Sequence, residues 1–407
     1  MNTPETLSAE PVWVPYTLPK ADMHVHVSLA LSVESFLRRI KKTRTSLNAG
    51  FLLEREQRYY PTLQEFHAAY EAMRYITATP QETAEVVQNY LQRVAREGCL
   101  YAELSFSYRP GADFSTQMAA VTAGIEAAKH NTGIESRIVV TSLRDAGAAV
   151  AEQAVSAIKA VNNPFITGFG LVGNEAVTPL PEFKKALNMA WHEAGLGLVP
   201  HVAEQRIENA LDFFDAMPND ALKNPCGSHS KDPRKVRIGH GTLTHRSTGL
   251  VQRFADSGIC FEVCLSANKR IGIPPDMAHE HPNSQATNTK GDVKVALDQP
   301  LRGYFQHLPE HPLPFFQKMG IAVCLGSDNP LLMNTNIGKE YALARKYLGC
   351  SITDCLNFTR NALRFANLDA VTAQRLLQKV DDYAQRVALG KTPRSTALGY
   401  REAWVGE

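Results

Sequence analysis

Short apolar runs alternate along the chain with longer stretches in which apolar residues recur every three or four positions. The runs predict strands at 21–27, 99–106, 136–142, 165–172, 196–201, 235–240, 259–265 and 320–326. The periodic stretches predict helices at 116–130, 147–160, 181–194, 206–216 and 246–256, and three more at 338–348, 353–365 and 371–389. Residues 33–97 are also mostly helical in pattern: Leu63, Phe66, Tyr70 and Met73 share one face, and Thr79-Pro80 opens a helix that runs to about Arg96. Strands separated by helices imply parallel pairing. Eight such units imply an α/β fold, a (β/α)8 TIM barrel, with its active site at the C-terminal ends of the strands.

Two stretches depart from the rhythm: a helical insertion after strand one, and the Pro-, Asn- and Gly-rich residues 272–306, a long loop insertion after strand seven. The second leaves its strand on the active-site side and is expected to form a lid or to meet another subunit. Residues 1–19 read as an irregular N-terminal arm, and 1–407 as one barrel domain. A doubly wound open sheet, the competing architecture, carries a Gly-rich phosphate loop after its first strand. Here that strand runs out into HVHVSLALS.

Composition narrows the function classes. With 43 Lys plus Arg against 41 Asp plus Glu, the formal net charge is +2, so nothing points to nucleic acid or an acidic membrane surface. No apolar run reaches the roughly 18 residues of a membrane span, and the first twenty residues lack a basic-then-apolar signal pattern. The seven cysteines are an odd number, scattered, and without a CxxC pair. They read as reduced thiols, and the expected location is cytoplasmic. Pro225-Cys226-Gly227-Ser228 lacks the second Cys of the zinc motif of cytidine-type deaminases.

Chemistry collects at the strand ends. In Met23-His24-Val25-His26-Val27 the two imidazoles lie two residues apart, hence on one side of a strand. His201 ends strand five. Glu204 follows at an odd offset, so it shares a site with His201 only if the strand stops or bulges between them. His240 ends strand six between Gly239 and Gly241. In strand eight the small-residue face of Ala322, Cys324 and Gly326 continues to Asp328. Each has a bland alternative: a capping carboxylate for Glu204, a satisfied core histidine for His240, an Asx turn before Pro330 for Asp328. Together, three His (four with His240) and one Asp at strand ends make a ligand set suited to zinc. Glu204 and His240 are then candidates to shuttle a proton and to orient the hydroxide. The residues alone thus describe a metal-dependent hydrolase. His279 and His281 lie in the polar insertion and carry less weight; Cys260 and Cys264 read as core.

These residues resemble the adenosine deaminase family of the amidohydrolase superfamily. Pro19-Lys20-Ala-Asp-Met-His24-Val-His26 is similar to its PKxELHVH opening, His201-Val-Ala-Glu204 to HAGE, and Arg237-Ile-Gly-His240-Gly241 to RIGHG. Cys264-Leu-Ser-Ala-Asn268 resembles CPxSN, Glu310-His311-Pro312-Leu313 resembles EHPL, and Ser327-Asp328-Asn329-Pro330-Leu331 resembles SDDPL. Leu171-Val-Gly173-Asn174-Glu175 is similar to its AGDE strand end. The motifs run in family order from about residue 19 to 345.

The resemblance implies one zinc ion per chain held by His24, His26, His201 and Asp328, with Glu204 protonating a purine ring and His240 deprotonating the attacking water. It also implies a backbone contact from Gly173 to a ring nitrogen, and hydrolytic loss of ammonia from a small-molecule 6-aminopurine. Three departures bear on the substrate. Ser28 stands where the family has an Asp near the ribose 5′ hydroxyl, Asn329 where a second Asp meets purine N7, and Ala203 where HAGE has Gly. Asn329 remains able to donate to N7. The alternatives are a hydrolase of the same superfamily acting on another amine or amide, or a non-catalytic relative. The oligomeric state is left open.

Overall fold

The computed structural model describes residue 14 and residues 16–43, 59–73, 79–226, 233–272, 284–300 and 308–391. The strands are β1 (Lys20–His26), β2 (Cys99–Ser107), β3 (Glu135–Leu143), β4 (Ile166–Val172), β5 (Gly197–Leu198), β6 (His201–Val202), β7 (Arg237–His240), β8 (Cys260–Val263), β9 (Gln285–Thr287), β10 (Lys294–Ala296) and β11 (Ala322–Leu325). β1 through β5 pair in parallel in chain order, and β6, β7, β8 and β11 form a second parallel run. Two bridges join the runs, Leu198↔Val236 on one side and Val25↔Asp328 on the other, so the ring closes. The predicted eight-stranded barrel is therefore present.

The fifth barrel strand is interrupted. One strand is expected at 196–201; two short ones form, β5 and β6, with Val199-Pro200 between them. Pro200 has no N–H for the ladder, which explains the break. The helix expected at 181–194 likewise divides into a 3-10 turn Leu180–Phe183, an α segment Lys184–Asn188 and a π turn Met189–Glu193.

Helices cover the outside. Pro80–Arg96 starts where the sequence places it: Thr79 and Glu82 form a reciprocal capping box ahead of Pro80. Its apolar stripe, Val86, Val87, Tyr90, Leu91 and Val94, is buried. Ile352–Phe365 begins on a second such box, between Ser351 and Asp354. The barrel floor is pinned by the buried Lys20 ammonium, which donates to the Glu97 carbonyl at 2.6 Å and the Leu18 carbonyl at 3.0 Å.

The insertion contains structure that its composition did not announce. β9 and β10 form an antiparallel hairpin. It lies along two outer helices, with Thr289 donating to Asp212 of Glu208–Ala216 and Thr248 N–H, at the start of Thr248–Asp256, donating to Asp298 at 2.8 Å. Residues 273–283 and 301–307, with His279, His281 and His307, lie outside the described residues, as does most of the 1–19 arm. No helix among the described residues is long and apolar enough to cross a membrane.

Candidate active site

Every predicted ligand stands at the C-terminal rim. β1 presents His24 and His26, β6 presents His201, β7 ends on His240, and Asp328 follows β11. The imidazoles are closely packed: ring centroids are 4.6 Å apart for His24 and His201, 4.9 Å for His24 and His240, and 4.8 Å for His201 and His240. Asp328 Oδ1 lies 3.2 Å from His26 Nε2 and 3.8 Å from His24 Nε2. Glu204 Oε2 lies 3.7 Å from His240 Nε2 and 3.9 Å from His201 Nδ1.

Glycines make this crowding feasible. A Cβ on Gly239 would stand 2.8 Å from His24 Cε1 and 2.9 Å from His201 Cδ2. The odd offset of Glu204 is resolved by the backbone. β6 stops at Val202, and Ala203 takes a left-handed conformation with φ 54°, which redirects the chain so that Glu204 faces the histidines.

The donor set suits a metal cation. His24 Nε2 and both ring nitrogens of His240 are buried without a hydrogen-bond partner. Donor atoms of His24, His201 and His240, and those of His24, His26 and Asp328, lie within 4.8 Å of one another. Unpartnered buried nitrogens are costly unless something else satisfies them. Burial, with His24, His240 and His26 around it, holds the His201 imidazole well below its ordinary value, so it stays neutral, the form that ligates metal. Burial alone would raise Asp328; the hydrogen bond from His26, with His24 and His240 nearby, instead holds its carboxyl well below the usual range.

Behind the rim runs a buried charged chain. His24 Nδ1 pairs with Glu262 Oε2 at 2.8 Å; Glu262 Oε1 accepts from Arg237 Nε at 2.6 Å; Arg237 also pairs with Glu103, which accepts from the Tyr101 hydroxyl at 2.6 Å. With Nδ1–H given to a carboxylate, His24 presents the Nε2 lone pair inward. Asp22, on β1, accepts from Ser327 N–H at 3.0 Å and its hydroxyl at 2.6 Å, fixing the turn that carries Asp328. Sequence reasoning misses Glu262, Glu103 and Asp22. The one signal for them is an acidic residue inside an otherwise apolar strand, as in CLYAELSF and CFEV.

The substrate-side candidates are placed as follows. Gly173 follows β4 with φ 96°. Asn329 donates its Nδ2–H to Asp328 Oδ1 at 2.7 Å, while its Oδ1 is buried without a partner. Ser28 lies beside Tyr70, from the helix Leu63–Met73.

A closed α/β barrel whose C-terminal rim gathers four histidines, an aspartate and a glutamate is a metal-dependent hydrolase. The sequence model described as adenosine deaminase matches residues 19–306 and 301–383, and the chain belongs to that family. It is 28% identical over 364 residues to an adenine deaminase of Sinorhizobium medicae, covering 88% of this chain and 97% of that one. Among solved structures it is similar to adenine deaminase from Arthrobacter aurescens, with TM-score 0.72, 21% identity and coverage of 91% and 100%. It is also similar to a zinc-bound amidohydrolase from Burkholderia ambifaria, with TM-score 0.65, 19% identity and coverage of 92% and 93%.

Proposed function

We propose that this chain is a zinc-dependent hydrolytic deaminase of a 6-aminopurine, acting on free adenine in preference to adenosine. The observation that carries the reading is the buried convergence of unpaired imidazole nitrogens with an ionised Asp328 and the Glu204 carboxyl. In this reading His24, His26, His201 and Asp328 hold one zinc ion. When bound, zinc supplies Lewis acidity that makes water nucleophilic at neutral pH. His240 orients that water and takes its proton; Glu204 gives a proton to a ring nitrogen; Gly173 and Asn329 hold the purine edge. The water oxygen would add at C6; the proton taken by His240 would then pass to the amine as the C6–N bond breaks, and the new hydroxyl proton would return to Glu204, leaving a C6 carbonyl, ammonia and both side chains in their starting states.

Two observations support the base over the nucleoside. Curated relatives and a structural neighbour bear the name adenine deaminase. The side chain standing where the family pattern has its ribose-facing Asp is Ser28, an uncharged hydroxyl in place of a carboxylate acceptor for a ribose hydroxyl. A substrate without a sugar makes no demand on that group.

The test has two arms. Elemental analysis should find about one equivalent of zinc, lost in His201→Ala and in Asp328→Ala. Ammonia or methylamine release is then measured for adenine, adenosine, AMP and their N6-methyl analogues. A higher kcat/KM for adenine than for adenosine supports the proposal, and the reverse order removes its substrate clause. If no purine reacts, a hydrolase of another amine or amide takes its place.

A further inference from the structure

We propose that Glu175, on the loop after β4, is the positioning residue for the catalytic acid: its carboxylate holds the turn that carries Glu204, and Asn209, itself held by Arg144, fixes the Glu175 backbone in register with His201. The inference rests on the reading of Glu204 as the proton donor.

Glu175 is 2% exposed. Its Oε1 accepts from Glu204 N–H at 3.3 Å, and its Oε2 accepts from Gln205 N–H at 3.0 Å and Arg206 N–H at 2.9 Å. Three consecutive backbone donors thus converge on one side chain about thirty residues away in sequence. The loop behind it is itself fixed. Asn174 N–H donates to Asp145 at 3.0 Å, and Asn209 Nδ2 donates to the Glu175 carbonyl at 3.3 Å. Asn209 Oδ1 in turn accepts from Arg144 Nη1 at 2.7 Å, and Arg144 Nη2 donates to the His201 carbonyl at 2.6 Å. Arg144 is fully buried, so one guanidinium ties the strand that bears a metal-ligand candidate to the residues that hold the acid. Burial raises the Glu175 carboxyl above its ordinary value, against the pull of Arg144 and the backbone amides.

The turn needs such a hold because of Ala203. A left-handed backbone is unfavourable for an L-residue, and this chain has Ala where glycine would take that conformation freely. Three hydrogen bonds from consecutive backbone amides to one buried carboxyl offset that strain. Ordinary helix capping does not account for the arrangement. The helix Glu208–Ala216 has Ile207 at its N-cap with no side-chain bond, and the amides held by Glu175 precede it. The arrangement fixes a carboxyl that must stay within a fraction of an ångström of its working position; a misplacement of about 1 Å costs about 100-fold in rate.

Glu175→Gln keeps the shape but turns an amide N–H toward donors that need an acceptor. Hydrogen–deuterium exchange of the peptide spanning residues 203–206 should accelerate at least about tenfold, while β2 and β3 stay protected. Zinc content should remain near wild type, kcat should fall about 10- to 100-fold, and KM should move less than about threefold. Asn209→Ala, which leaves the carboxylate in place, should change exchange and kcat in the same directions by smaller factors, and it stands in if the Gln variant does not fold. Unchanged exchange in 203–206, or unchanged kcat despite faster exchange, overturns the assignment. So does a rise in KM with kcat preserved. If the wild-type chain deaminates no purine, the proposed function falls, and the exchange arm still decides whether Glu175 holds the turn.

Discussion

Three functional candidates depend on backbone that L-residues avoid. Ala203, His240 and Asp328 have φ of 54°, 63° and 56°. All three stand just past, or at, the end of a barrel strand, where the chain must bend sharply to aim a side chain into the mouth. Such strain persists only where surrounding bonds over-determine it. Here they do: Leu243 N–H donates to the Ala203 carbonyl at 2.8 Å, and Asp328 exchanges N–H and carbonyl bonds with β1 at 2.6 and 2.8 Å. Glu204→Gln is expected to keep fold and zinc while kcat falls about 100- to 10,000-fold, since Gln has the shape but no proton to deliver. A Gln variant within a few-fold of wild type would remove Glu204 from the mechanism. Glu262 acts one step further back. Glu262→Gln weakens the charged partner that orients His24 and is expected to lower metal affinity about 10- to 100-fold, read by competition with a chelator. Unchanged affinity would show that the His24 ring is set by packing alone.

At the scale of elements, polar groups buried between helices and loops decide how the rim is supported. Glu340, from the helix Ile337–Leu348, accepts from Ser266 N–H at 3.1 Å and from the Thr335 hydroxyl at 2.6 Å, joining the helix Leu265–Arg270 to the loop after Asp328. Burial pushes its carboxyl up to about 7. Because the folded value lies above the unfolded one, the contribution to stability is full below about pH 4.5 and is lost as pH rises through about 7. The shift corresponds to about 3 kcal/mol as an upper bound. Glu340→Gln does not titrate, so the fall in unfolding free energy between about pH 5 and pH 8 should be smaller than in wild type. Equal pH slopes for the two proteins in urea titrations would refute this account. The hairpin of β9 and β10 shows the same principle in the insertion. Its turn delivers Thr289 to Asp212, a buried acid on the barrel helix Glu208–Ala216.

For the whole molecule the sensitive place is the seam where the first strand meets the last. A Cβ on Gly326 would stand 2.3 Å from His24 Cβ and 2.9 Å from the His24 carbonyl oxygen. Gly326→Ala therefore forces apart the two strands that carry His24 and Asp328. The expected result is a loss of about 1–3 kcal/mol or more in stability, with lower zinc content. A variant with wild-type melting temperature and full zinc content would mean that the seam is more compliant than this packing allows.

Much of this architecture was legible because it follows from local pattern. Apolar runs separated by helical spacing imply parallel strands, and eight of them imply closure. Histidines at i and i+2 on a strand face one way whatever surrounds them. The chain alone thus determined the barrel and the strand ends at which the six candidate residues stand. Only the tertiary structure decided the rest. The break at Pro200, the left-handed turn at Ala203, and the pairing of Glu262, Arg237 and Glu103 across three strands depend on neighbours far apart in sequence. The same holds for Glu175, whose hold on Glu204 spans 29 residues. The reason is physical: periodicity records which face of an element is buried, but a buried charge is defined by its partner, and only the closed ring brings partners together.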